Sequence, residues 1–283
     1  MSTSAAPVLP AALTLGAVHL TVPRQTRAIA WYETALGLCL HSHGDGEATL
    51  GDGRTASVVL HEDRAATPAG RTTGLYHFAL LYPTREELAR AALRLEATGT
   101  AIQGASDHET HEAIYLADAD GNGIELAADR PRSSWPEHLG YADGPQPLDV
   151  GGLMATIDGE APQPRVGEGL RIGHLHLHVG DVGQGLAFYS GVVGFAPTAS
   201  LGSAAFVSAG GYHHHLGFNV WNGKGAGPPR SHAVGLRTWT VVLPEDDRAA
   251  LRTRLEAAGH PTDDAPDGFV VRDPWGTAMT VTS

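Results

Sequence analysis

The chain has 283 residues, 42% of them hydrophobic and 18% charged, a composition that buries a core in one large domain or two ordinary ones and argues against disorder. A formal net charge of -12 argues against nucleic acid as a partner, because phosphate binding wants a basic face. Cys39 is the only cysteine, so a disulfide framework and a thiolate metal cluster are both excluded.

No apolar run approaches the roughly 18 residues needed to span a bilayer. Residues 1–14 are small and apolar but lack the basic start of a signal peptide. A cytoplasmic protein with no membrane partner is therefore expected. The histidines stand out: there are sixteen, with His174, His176 and His178 together and His213, His214 and His215 together.

The first predicted unit opens with Leu15-Gly-Ala-Val-His-Leu-Thr-Val22, whose alternation reads as a strand. An amphipathic helix follows, carrying Trp31 and Tyr32, then a turn at Leu36-Gly-Leu38. The second unit opens with Gly74-Leu-Tyr-His-Phe-Ala-Leu-Leu-Tyr-Pro83, continues as a helix over Arg85 to Gly99, and closes with Asp118-Ala-Asp-Gly-Asn-Gly-Ile-Glu125. That closing stretch lacks the twelve-residue spacing of a calcium loop and reads as a β-turn before a last strand.

Residues 129–170 carry Pro131, Pro136, Pro145, Pro147, Pro162 and Pro164 with many glycines, and read as a linker. The third unit, Ile172-Gly-His-Leu-His-Leu-His-Val179 followed by an aromatic-ending helix, repeats the first. The fourth, from Gly235 through a helix at Asp246 to Gly259 and a turn at Asp273, repeats the second. Four strand–helix–strands units thus begin near residues 14, 73, 171 and 234.

Alternation puts His174, His176 and His178 on one face of their strand. Three imidazoles there fit poorly with core packing, since each ring nitrogen needs a partner, although a solvent face would accept them. Alone, His77 reads as a satisfied core histidine. Glu125 lies between Ile124 and Leu126 and needs a solvent face or a positive partner, because an unpaired buried carboxylate costs several kcal/mol.

The four-unit repeat resembles the βαβββ modules of the vicinal-oxygen-chelate superfamily over nearly the whole chain. That likeness implies an α+β fold in which four modules pair into two half-barrel, cup-shaped sheets with helices outside. The expected division is a first domain over 1–130 (modules 14–62 and 73–128), a linker over 131–170, and a second domain over 171–283 (modules 171–222 and 234–283). The stretch from His108 through Tyr115 and Asp118-x-Asp-Gly to Ile124-Glu125 resembles the closing signature of extradiol ring-cleaving dioxygenases of the catechol 2,3-dioxygenase kind, with Ala119 in place of the usual proline. Gly211-Tyr-His-His-His-Leu-Gly-Phe218 resembles the segment supplying that family's acid–base histidine.

The resemblance implies metal ligands His77, Glu125 and His174, a facial set suited to Fe(II) or alternatively Mn(II). It implies His176 as a polar neighbour, His214 or His215 as proton shuttle, and His108 and Tyr115 as hydrogen-bonding partners of bound oxygen and substrate. The substrates would be a small aromatic diol and O2. The fourth unit carries Thr238 and Thr280 where the second has His77 and Glu125, and the first has Ala17 at the position of His174.

A full triad therefore requires units two and three to pair across the linker, or two chains to share a site, which makes a homodimer a natural guess. A site within units one and two using His19 is the alternative. Two other activities remain open: a glyoxalase-like isomerase or lyase with a fourth ligand near His213–His215, and a metal-free binding module. Trp221 and Trp239 are candidates for a pocket wall or for core.

Overall fold

The structure, a computed structural model, describes residues 8–137 and 144–283. Module one comprises β1 (Thr14–Val22), α1 (Gln25–Ala35), β2 (Cys39–Gly44), β3 (Glu47–Gly51) and β4 (Ala56–Glu62). Module two comprises β5 (Gly74–Tyr82), α2 (Arg85–Ala97), β6 (Gly104–Asp107), β7 (His111–Ala117) and β8 (Gly123–Asp129). The connection is not structureless: β9 (Gln146–Pro147) pairs with β6, and α3 (Val150–Met154) follows it.

Module three runs β10 (Arg171–His178), α4 (Val182–Leu186) with a π-helical continuation over Ala187–Val193, β11 (Ala196–Ser200), β12 (Ala204–Ser208) and β13 (Leu216–Asn219). Module four runs β14 (Gly235–Val242), α5 (Glu245–Ala257), β15 (Thr262–Ala265), β16 (Gly268–Arg272) and β17 (Ala278–Thr282).

In each module the first strand pairs in parallel with the last, and the middle strands extend the sheet antiparallel. The helix between the first two strands makes the crossover that a parallel pair needs. The modules then join through their first strands. β1 runs antiparallel to β14 and β5 runs antiparallel to β10, giving an eight-stranded sheet from modules one and four and a nine-stranded sheet from modules two and three with β9 of the connection at its edge. Both sheets are open at their edges. The sheets therefore do not follow the halves 1–130 and 171–283: each takes one module from either side of the connection.

Within each half the two modules, which belong to different sheets, are tied together by matching sets of contacts. The Tyr32 hydroxyl donates to Asp118 Oδ2 at 2.9 Å, and the Tyr189 hydroxyl to Asp273 Oδ2 at 3.0 Å. Arg94 of α2 is almost fully buried and donates to the carbonyls of Leu36, Gln163 and Arg165. Its counterpart Arg254 of α5 donates to Val192 and Val193. The buried Arg94 guanidinium survives because each of its three nitrogens finds a carbonyl acceptor. α2 itself starts where Thr84 Oγ1 accepts from the Glu87 N–H and Glu86 and Glu87 face the positive end of the helix dipole. It buries Leu88, Ala89, Ala91 and Leu95 against the sheet.

Candidate metal centre

Three first- and last-strand residues meet inside the nine-stranded sheet. His77 sits mid-β5 opposite Gly123 of the parallel strand β8, and Glu125 follows two residues along β8. That close approach depends on Gly123, where a Cβ would fall 2.0 Å from the Tyr76 carbonyl oxygen. His174 comes from β10, where the pairing with β5 shifts register between Ile172 and Leu175. Such an irregularity re-aims a side chain without ending the strand.

All three are buried, at 7%, 1% and 2% exposure respectively. Glu125 Oε2 lies 3.1 Å from both His77 Nε2 and His174 Nε2. Donor atoms of the three all fall within 4.8 Å of one another. His174 completes a hydrogen bond to the carboxylate, whereas His77 Nε2, at the same distance, has no hydrogen-bond partner. Burial alone would raise the Glu125 carboxyl, but the imidazoles around it hold it well below its ordinary range, so it is an anion.

These residues fit a divalent ion. Neighbouring donors around an octahedral centre with bonds of about 2.1 Å stand about 3 Å apart. The set is two imidazoles and one carboxylate, and the unpartnered His77 nitrogen is what a ligand awaiting its ion looks like. The whole set lies in one chain, so no second copy is needed to complete it.

A cavity of about 330 Å³ opens onto this group. His108 and Tyr115 stand on its wall, with His108 Nε2 and the Tyr115 hydroxyl 2.6 Å apart. His176 lines it too, with Nε2 held by the Asn219 amide at 2.9 Å. His214 is the member of the second histidine cluster that reaches the cavity, its ring 4.2 Å from that of His174. Burial, then the neighbouring imidazoles, push His214 and His176 well below the usual histidine range, so both rings are neutral.

His215 does not line the cavity. Its Nδ1 accepts from the Ala209 N–H at 3.1 Å, on the far side of the loop. Trp221, half exposed, forms the cavity mouth with Tyr76 and Leu201, whereas Trp239 is buried in the core of the other sheet.

In the eight-stranded sheet the equivalent positions are closed. Thr238 and Thr280 hydrogen-bond to each other at 2.9 Å, and His19 shares a hydrogen bond with His61 at 3.0 Å. His19 thus belongs to the sheet without the triad, and modules one and two do not form a joint site.

His111 was not legible as a site residue from its motif. Its Nε2 is 3.1 Å from Glu125 Oε1, and its ring lies stacked between those of His108 and His213. Strand alternation was the available signal, since His111 and Tyr115 fall on the same face of β7.

The profile of the glyoxalase/bleomycin resistance protein/dioxygenase superfamily matches residues 14–126 and 171–280. The chain belongs to this superfamily. Within it, a Bacillus subtilis (strain 168) protein named catechol-2,3-dioxygenase is 40% identical over 268 residues, covering 92% of this chain and 93% of that one. The crystal structure of a candidate dioxygenase from Bacillus subtilis superposes with a TM-score of 0.65 at 14% identity, covering 95% of this superfamily member and 85% of that chain. Glyoxalase I from Zea mays gives 0.57 at 16% identity, covering 96% and 93%. At such identities the two structural likenesses speak to the fold.

Proposed function

We propose that this superfamily member is an extradiol dioxygenase that opens the ring of a catechol-type substrate with O2. The observation that carries the reading is the His77–Glu125–His174 group at the base of a cavity whose walls present His108, Tyr115, His176 and His214. The 40% identity to a protein named catechol-2,3-dioxygenase supports it. Ferrous iron, or alternatively Mn(II), held by the three residues would supply Lewis acidity toward the diol and a route for electrons from the diol to O2.

The chain's own groups account for the rest. His214, which faces the cavity, serves to take a hydroxyl proton from the entering diol and to return it later. Tyr115, backed by His108, offers its hydroxyl to an oxygen of the substrate. Asn219 fixes the His176 ring at the cavity edge. Phe206, Tyr76 and Trp221 wall the aromatic ring and exclude water. A glyoxalase-like centre would need a fourth protein ligand, and Glu125 is the one carboxylate among the described residues lining the cavity.

Anaerobic loading of the protein with Fe(II), followed by catechol and air, tests the reading. Oxygen uptake matched to a yellow ring-opened product, both lost in Glu125→Ala, is the expected result. Tight metal binding without turnover of several catechols would overturn it.

A further inference from the structure

We infer that His111 is the positioning residue that orients Glu125 toward a bound metal, by occupying one carboxylate oxygen so that only the other faces His77 and His174. The inference rests on the proposed metal centre but not on ring cleavage.

The two oxygens of Glu125 have different surroundings. Oε2 lies 3.1 Å from the Nε2 atoms of both His77 and His174, whereas Oε1 lies 3.1 Å from His111 Nε2. A carboxylate only accepts, so the His111 proton is on Nε2. The ring's other nitrogen, Nδ1, is hydrogen-bonded to the Thr110 hydroxyl, 2.9 Å away. Both partners are buried, at 1% exposure each, so neither bond is readily replaced by water.

Strand geometry explains how His111 reaches that far. On β7 and β8, Tyr115 faces Glu125, Ala113 faces Ala127 and His111 faces Asp129. The two alanines between leave a gap that the imidazole crosses diagonally to Glu125. His108 on one side, with ring centroids 4.6 Å apart, and His213 on the other, at 4.5 Å, clamp the ring nearly parallel and leave it one orientation. Asp129, directly opposite, is engaged by His213 Nε2 at 3.1 Å and by the Tyr212 hydroxyl, which keeps that carboxylate from competing for His111. Partners that orient a ligating group typically change metal affinity ten- to a hundred-fold when removed.

The test is titration of apo protein with Mn(II), read by electron paramagnetic resonance and by thermal shift, with no catechol present. His111→Phe keeps the stacked ring and removes the donor, and His111→Gln restores an amide donor at nearly the same reach. Mn(II) binding about ten- to a hundred-fold weaker in His111→Phe, with an altered spectrum of the bound ion and recovery of both in His111→Gln, is expected. Should His111→Phe fail to fold, Thr110→Val decides, since it removes the hydroxyl that holds the ring at Nδ1 and should weaken binding several-fold.

Wild-type affinity and an unchanged spectrum in either His111→Phe or Thr110→Val overturns the inference. Failure of the wild-type protein to bind Mn(II) overturns it together with the metal centre. The expected losses in a protein that opens no catechol ring support the role of His111 and overturn ring cleavage alone.

Discussion

His174 Nε2 donates to Glu125 Oε2 at 3.1 Å across 49 positions of sequence. The connection between the halves of the chain lies between them, and the pairing of β5 with β10 is what closes that distance. A centre built this way depends on the register between modules two and three as much as on the ligands themselves.

His77→Ala, Glu125→Ala and His174→Ala should each abolish stoichiometric Fe(II) binding and lower ring-opening activity by about a thousand-fold or more, because a facial triad with one donor missing no longer holds its ion. His19→Ala should leave both within about twofold, since His19 bonds to His61 in the other sheet. Metal analysis after dialysis, paired with oxygen uptake, checks both. Loss of activity in His19→Ala with His174→Ala unaffected would reverse the module assignment.

Substrate charge is the next prediction. Among the described residues no Lys or Arg lines the cavity. The cavity mouth is Tyr76, Leu201 and Trp221. Catechol and alkyl-substituted catechols should turn over, whereas carboxylated analogues should show kcat/KM at least about a hundred-fold lower, because an unpaired anion there costs several kcal/mol. Comparing kcat/KM for methyl- and carboxyl-substituted catechols decides it.

Stability should reside in the two tyrosine–aspartate bonds that tie each half together. Tyr32→Phe and Tyr189→Phe each take a hydroxyl from a buried carboxylate and should cost about 1–3 kcal/mol. The two sites share no partner, so the double variant should lose close to the sum. Thermal unfolding of the apo protein should show a fall of about 2–4 °C per kcal/mol.

Asp52 should confer acid sensitivity. Burial raises its carboxyl, but N–H groups of Thr55, Arg54, Gly169 and Leu170 outweigh that and hold it below the ordinary carboxylate range. The bond from Gly169 N, at 2.7 Å, fastens the end of the connection to module one. A carboxyl depressed on folding stabilises above its unfolded pKa and loses that contribution as pH falls through the folded one. The stability gap between wild type and Asp52→Ala should therefore be full at neutral pH and shrink as pH falls below about 4. Urea midpoints across that range measure it, and a gap independent of pH would sink the prediction.

Local pattern determined much of this protein. Period-two alternation marks β1 and β10, and the helices α2 and α5 end within two residues of the glycine-bounded segments read from the sequence. The fourfold repeat places His77 and His174 on first strands and Glu125 on a last strand, and Thr238, Thr280 and Ala17 at the matching positions of the other modules leave one full set. Those features are legible because strand faces and helix faces are set by neighbours a few residues apart.

Module pairing was decided only by the tertiary structure. The ligand positions favour pairing of modules two and three but leave a site in modules one and two open, and the pairing of β5 with β10 closes that choice. The same holds for His215, which shares a segment with His214 yet turns toward the Ala209 N–H, and for His111, whose reach depends on Ala113 facing Ala127. Contacts between strands far apart in sequence carry that information, and it exists only once the sheet has closed its register.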